Sequence, residues 1–273
     1  MSVDSINASG VFRVGDVLSR AWRLFTGNLL FFLLVPFVLY LIMVAAIVIF
    51  VLTFGLAVWA SGSTALIWVG ALLGIIVVLG FTMIGQGMLL LGAFQRLRGQ
   101  ALRIGEVLQR VLNRLLPLLG LSILWGLALF LAVAASVFVV GMLAAALGAV
   151  TIVLVPAIYI PAAILLVMWA VVVPACIVEN LGPIGSMSRS TDLTKGYRWK
   201  IFGIFLLLFL LSLVASIVQV MLAFISEILG NIFAIIWFVV WIAYWNCSVI
   251  MTYHDLRVAK EGIDTEQIAS VFD

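Results

Sequence analysis

The chain has 273 residues, of which 66% are hydrophobic and only 9% charged, with a formal net charge of +3. A water-soluble globule of this length has to cover itself with polar groups, so the composition excludes a soluble domain and requires lipid as part of the solvent. The basic residues fall in short segments between apolar runs, which excludes a nucleic-acid role and makes them topology signals.

The N-terminal stretch carries Asp4, Arg13, Asp16, Arg20 and Arg23 before any long apolar run, unlike a secretory leader. Within it Val14, Val17, Leu18, Ala21, Trp22 and Phe25 recur at the spacing of an amphipathic helix, and Asp16, Arg20 and Arg23 are assigned to the opposite face. Such a helix is expected in the interface, with its apolar side toward lipid and its basic side toward phosphates. Two apolar spans follow, Leu29–Val58 and Ala65–Leu91, separated by the uncharged turn Trp59–Thr64. Each exceeds the ~20 residues needed to cross a bilayer. Gly70-x-x-x-Gly74 in the second fits a close-packing motif.

After Arg96 and Arg98, Arg103-Ile104-Gly105-Glu106-Val107-Leu108-Gln109-Arg110 repeats the earlier Arg13-Val14-Gly15-Asp16-Val17-Leu18-Ser19-Arg20. This predicts a second amphipathic helix, with Glu106, Arg110 and Arg114 on its polar face. The spans Leu115–Leu147 and Val150–Val178 come next, and Pro156, Pro161 and Pro174 interrupt the latter. Proline removes a donor and kinks a helix, so the freed carbonyls either serve a ligand or hinge, or are satisfied by packing alone. A weaker third copy runs from Ile184-Gly185-Ser186-Met187 to Leu193-Thr194-Lys195-Gly196, which echoes Leu24-Phe25-Thr26-Gly27. Its cations are Arg189, Lys195 and Arg198, with Glu179–Arg189 and Asp192–Arg198 as candidate ion pairs. The last spans are Trp199–Phe224 and Leu229–Met251, before a hydrophilic tail from Thr252.

The expected fold is therefore all-α: a polytopic membrane protein with six transmembrane helices and three interfacial amphipathic helices. It forms a single membrane domain, 1–273, built from three helix-plus-hairpin units of about 13–102, 103–182 and 183–273. All 14 Lys and Arg lie before the first span, between the second and third, between the fourth and fifth, or after the sixth. The positive-inside rule then places both termini in the cytoplasm.

Chemistry-bearing residues are sparse. No Asp, Glu, Lys, Arg or His lies deep in a predicted span, which counts against a proton relay or coupled ion path. Gln86, Gln219 and Asn246, with Ser122, Ser136 and Ser212, are the deep polar groups. The amides either line a cavity or bond between helices, their commoner use. Trp22, Trp199 and Trp245 suit the water–lipid boundary. Cys176, Cys247 and the single His254 make neither a disulfide framework nor a metal site. No serine triad, phosphate-cradling loop or catalytic carboxylate pair is legible, and the sequon Asn7-Ala8-Ser9 falls on the cytoplasmic side, where it would not be glycosylated.

Three blocks carry a family likeness: Gly15-Asp16-Val17-Leu18; Pro174-Ala175-Cys176-Ile177-Val178-Glu179-Asn180-Leu181-Gly182 with Ser188-Arg189-Ser190 and Leu193-Thr194-Lys195-Gly196; and Tyr253-His254-Asp255-Leu256-Arg257-Val258-Ala259-Lys260-Glu261-Gly262. Over nearly its whole length the chain resembles the membrane domain of glycerophosphoryl diester phosphodiesterases and the related stand-alone prokaryotic inner-membrane proteins. The resemblance implies a prokaryotic plasma membrane and a lipid-related setting. The metal and catalytic residues of the fused members belong to a domain that follows the membrane part, and none maps onto these residues.

The expected function is that of a non-enzymatic membrane protein, lipid-associated or an accessory or assembly subunit, without cofactor or metal. Its partners are anionic membrane lipids, with a membrane-protein complex or homo-oligomer as a further partner class. Arg20, Arg23, Arg103, Arg110, Arg114, Arg189, Lys195 and Arg198 are the expected lipid or partner contacts. The alternatives are a transporter or channel using Gln86, Gln219, Asn246 and the prolines Pro156, Pro161 and Pro174, or a lipid-modifying enzyme. The topology has a direct test: with both native cysteines replaced by alanine, a cysteine at Ser61 should react with an impermeant maleimide from outside whole cells. A cysteine at Gln100 should react only after the cells are opened.

Overall fold

The computed structural model describes residues 12–262. They fold as α1 (Val14–Thr26), α2 (Leu29–Ser61), α3 (Thr64–Leu97), α4 (Ile104–Asn113), α5 (Leu115–Leu147), a 3-10 segment (Gly148–Tyr159), α6 (Ile160–Met168), α7 (Val172–Val178), α8 (Pro183–Thr194), α9 (Arg198–Ile225) and α10 (Glu227–Glu261), with no strand among the described residues. Six stretches are long and apolar enough to cross a membrane: α2, α3, residues Leu115–Ala146 of α5, Val153–Val178, α9 and α10. The chain is an all-α polytopic membrane protein. Asp4 and the sequon Asn7-Ala8-Ser9 lie outside the described residues, as does the tail beyond Gly262.

The turns that reverse the chain are short. Gly62, in the left-handed region at φ 62°, ends α2, and α3 starts at Thr64. A Cβ on Gly70 would lie 2.8 Å from Phe54 Cδ1, and one on Gly74 3.4 Å from Phe50 Cε1. The Gly70-x-x-x-Gly74 pair thus receives two aromatic rings of α2, which stack on each other at 4.8 Å. At the α9–α10 turn a Cβ on Gly230 would meet Ala223 Cβ at 2.7 Å, so only glycine permits that approach.

Side-chain burial is concentrated at one end of the bundle, the end where the basic segments sit. Phe32, Leu89, Leu90, Leu118, Leu121, Ile201, Ile204, Ile250 and Met251 form its centre. Toward the other end the long helices leave Val51, Leu52, Leu56, Ile75, Phe138 and Met221 exposed. Apolar side chains turned outward at these positions are stable only against hydrocarbon.

Two sequence expectations are corrected at the basic end. The residues from Thr252, expected as a hydrophilic tail, continue α10 as helix to Glu261, and Tyr253, His254, Asp255 and Leu256 are buried. The apolar face of α1, expected to lie on lipid, packs on protein: Val17, Ala21, Leu24 and Phe25 are buried against the bundle, chiefly on α10. Trp22 and Phe25 meet the Tyr244 ring at 5.7 and 6.4 Å, and the Tyr244 hydroxyl donates to the Leu18 carbonyl. Lys200 Nζ donates to the Phe12 carbonyl at 2.9 Å, tying α9 to the entry of α1.

Arg20 also changes face. It follows Val17 by three residues and precedes Leu24 by four, which places it within roughly 60° of the apolar stripe. It is 5% exposed and pairs with Asp255 of α10, itself 3% exposed. Removing one member of such a pair strands a buried charge, whereas replacing both can be neutral. Asp255→Asn or Arg20→Leu should each destabilise by about 3–5 kcal/mol, read as reversible unfolding in mixed micelles. Arg20→Leu combined with Asp255→Leu should recover most of the loss.

Candidate functional site

A cavity of about 410 Å³ lies between α3, α5, the broken fourth span, α9 and α10. From the basic end of α3, Gln86 is reached after roughly 16 Å of helix rise, so the cavity sits well inside the bundle. Its walls are mostly aliphatic and aromatic, with Trp125, Trp169, Phe205, Trp241 and Trp245 contributing rings. Its polar groups are neutral: Gln86, Ser122, Ser212 and Asn246. A second cavity of about 300 Å³ opens between α2, α3 and α10 and shares Gln86, Trp241, Trp245 and Asn246 with the first. The two amides therefore mark the seam between both spaces. Asn246 gives Nδ2 to the Ile242 carbonyl one turn back, at 2.8 Å.

The wall made by the fourth span is discontinuous. Pro161 sits in the first turn of α6, where its missing N–H is harmless, and ends the 3-10 segment. Pro174 cannot bond to the residue four before it, Ala170, and the helix is interrupted there, between Met168 and Val172. Hydroxyls on α8 bond two backbone groups of the interruption, the Met168 carbonyl and the Val171 amide. Ser190 and Thr194 both donate to the Met168 carbonyl at 3.1 Å, and the Val171 amide donates to Ser190 Oγ at 3.3 Å. Irregular backbone at this depth is tolerated where neighbouring side chains complete its hydrogen bonds. Pro156 and Pro161 are exposed, whereas Pro174 is buried.

Below the cavity an ionic chain crosses the basic end. Tyr253 donates to Glu179 Oε1 and Arg189 Nε to Glu179 Oε2, both at 2.7 Å. Arg189 also pairs with Glu261, which accepts from Arg257 Nε at 2.9 Å. Two acids and two arginines thus close one chain joining the end of the fourth span, α8 and α10. Lys260 adds a bond to the Asp192 carbonyl. His254 Nδ1 stands 3.3 Å from Asp255 Oδ1, beside the Arg20 pair.

The sequence-predicted contacts separate into three groups. Arg23, Arg103, Arg110 and Lys195 are exposed, and Arg103 pairs with Glu106 at 2.8 Å. Arg114, Arg189 and Arg198 are half-buried; Arg114 donates to the Asn180 carbonyl at 3.1 Å, and Arg198 Nε is buried without a hydrogen-bond partner. Arg20 is interior and structural, which corrects its assignment to the outer face. Of the two ion pairs expected, Glu179–Arg189 forms and Asp192–Arg198 does not. Gln86 and Asn246 meet in the cavity, but Gln219, farther along α9, lines neither of the two spaces. Trp199 is 86% exposed as a boundary residue would be, whereas Trp245 stacks on Phe205 at 5.1 Å inside the bundle, away from the boundary expected for it.

Sequence reasoning missed Asp255, Tyr253 and Arg98. Arg20 on an apolar stripe was the signal for a buried acid elsewhere; nothing comparable marked the other two. The Arg98 guanidinium lies 4.3 Å from the Phe94 ring centroid. It is held below its ordinary range, first by burial and then by the like charges of Arg257 and Arg110. No family model, curated protein or solved structure matches this chain.

The ionic chain predicts graded losses. Tyr253→Phe removes one hydrogen bond and should cost about 1 kcal/mol. Glu179→Ala deprives both Tyr253 and Arg189 and should cost about 2–3 kcal/mol. Parallel denaturant titrations of the two variants check the order.

Proposed function

We propose that this is a non-enzymatic, lipid-binding integral membrane protein, with an accessory role beside other membrane components, and that its central cavity takes the apolar part of a lipid. One observation carries this reading: the cavity lies inside the spans, is walled by aliphatic side chains and tryptophans, and its polar side-chain groups among the described residues are neutral amides, hydroxyls and indole N–H groups, the Trp125 Nε1 being buried without a hydrogen-bond partner. Apolar pockets of a few hundred Å³ with few convergent polar groups are the usual form of a ligand site. An uncharged lining suits hydrocarbon with a hydroxyl, ester or amide rather than an ion.

In this reading the basic end faces the cytoplasm, as the charge distribution predicts, and the membrane is the prokaryotic plasma membrane that the family resemblance implies. Exposed Arg23 and Lys195 then face an anionic leaflet, where each cation near the surface contributes about 1 kcal/mol of attraction. The likeness of the Pro174–Gly182 and Tyr253–Gly262 blocks to the phosphodiesterase-associated membrane domain agrees with a lipid setting. A transport path is the second reading, favoured by one feature: Gln86 and Asn246 stand where the two cavities meet, next to an interrupted helix.

The cavity tryptophans supply the test. In liposomes containing lipid brominated on the acyl chain, Trp125, Trp169, Trp241 and Trp245 should be quenched beyond the level set by exposed Trp59, Trp68 and Trp199. Leu121→Trp, which fills the cavity, should abolish that extra quenching and reduce the lipid retained in native mass spectra. Quenching unchanged by the filling substitution would overturn lipid occupancy. Solute flux lost in Gln86→Leu would favour the transport path instead.

A further inference from the structure

Trp125 lines the central cavity from α5, and its indole Nε1 is buried without a hydrogen-bond partner. An indole N–H donates and cannot accept, so only an acceptor completes it. A buried donor left unpaired costs free energy, and a bound acceptor removes that cost. Hydrocarbon alone does not.

Two other polar groups of the wall have already spent hydrogens on their own helices. Ser122, one turn before Trp125 on the same face of α5, donates to the Leu119 carbonyl at 2.9 Å. Asn246 donates through Nδ2 to the Ile242 carbonyl at 2.8 Å. Both bonds leave oxygen lone pairs for a proton that a ligand brings. A donor at Trp125 beside acceptors at Ser122 and Asn246 suits a hydroxyl, which accepts and donates at once. A carbonyl satisfies Trp125 alone.

Depth decides what carries that oxygen. Trp125 follows Arg114, the residue before α5, by roughly 16 Å of helix rise. That is near the middle of a hydrocarbon core of ~30 Å. A phospholipid places its tail here while its carbonyls stay at the headgroup level, out of reach of Trp125. Bringing those carbonyls to Trp125 would draw the phosphate into the spans, where a charge needs a cation. All 14 Lys and Arg of the chain lie among the described residues, and none of them lines the cavity. An uncharged lipid avoids that cost. Its hydrocarbon meets a wall of rings, with Trp241 and Trp245 centroids 6.0 Å apart and Phe205 stacked on Trp245 at 5.1 Å.

We propose that the central cavity selects an uncharged lipid without a phosphate headgroup, held through a hydroxyl or carbonyl oxygen by a hydrogen bond from Trp125 Nε1. The proposal rests on lipid occupancy of that cavity and names the chemical class of the occupant. Trp125 is then the residue that sets specificity.

The test uses the full chain in phosphatidylcholine nanodiscs containing dioleoylglycerol, oleyl alcohol or squalene, the last a hydrocarbon without oxygen. Retained additive is counted by native mass spectrometry for the wild type, Trp125→Phe and Trp237→Phe. Trp237 lies on α10 and is not among the residues that line the cavity. The wild type should retain an oxygen-bearing additive, and Trp125→Phe should lower that retention about tenfold, the effect of one lost hydrogen bond. Trp237→Phe should retain it at the wild-type level, and squalene should not distinguish the three proteins. With isotope-labelled tryptophan, the indole N–H resonance missing from Trp125→Phe should move downfield with the oxygen-bearing additive and stay in place with squalene. Benzothienylalanine at position 125 keeps the ring shape without the N–H and gives the same readings where the phenylalanine variant does not fold. Retention of neither oxygen-bearing additive by the wild type, or no loss in Trp125→Phe, overturns the proposal. So does a parallel loss of squalene, which means that the ring acts by shape alone. In each case, quenching that Leu121→Trp abolishes leaves lipid occupancy standing, and absence of that quenching removes both readings.

Discussion

Asp255 lies buried on α10, and the basic end of the bundle is arranged around its charge. A carboxylate at 3% exposure is tolerable only with a partner, and Arg20 supplies one from α1. That pairing fixes α1 across α10 and directs Val17, Ala21 and Leu24 onto protein. With α1 in place, the Tyr244 hydroxyl reaches the Leu18 carbonyl and Lys200 reaches the carbonyl before α1. The polar end of α10 then becomes interior, and its helix runs on to Glu261.

The same requirement, that polar groups removed from water be paired, shapes the fourth span. Its interruption frees a carbonyl at Met168 and an amide at Val171, and α8 meets both with Ser190 and Thr194. This explains why the third short helix is less amphipathic in sequence than the first two. Its buried face carries Ser186, Ser190 and Thr194 because it covers broken backbone rather than hydrocarbon. Glu179, at the end of that span, is held by Arg189 of α8 and by Tyr253 of α10, so the break is braced from two sides.

Packing is dense where the short helices close the bundle and sparse toward the other end, and the spaces follow that gradient. The central cavity lies where the broken span leaves a gap and bulky rings keep α9 and α10 from closing it. A further space of about 620 Å³ lies where α4 seats on α3 through two valines, with Arg98, Arg110 and Arg114 in its lining. Among the described residues, the central space is lined without charge.

The sequence by itself determined the class, the number of spans, the short helix before each hairpin and the clustering of cations at one end. These depend on composition and periodicity, which lipid and water read locally, residue by residue. It left Gln86, Gln219 and Asn246 open between lining a cavity and bonding between helices, and offered Glu179–Arg189 as one of two candidate ion pairs, the one that forms. Only the tertiary structure decided which face of α1 meets protein, because Arg20 is either a surface cation or a buried partner according to whether Asp255 stands opposite. It alone brought Arg98, just after α3, into one lining with Arg110 and Arg114, and left Gln219 out of the cavity that holds the other two amides. Burial of a charge and the lining of a space are properties of pairs and groups of helices, and no single stretch of chain encodes them.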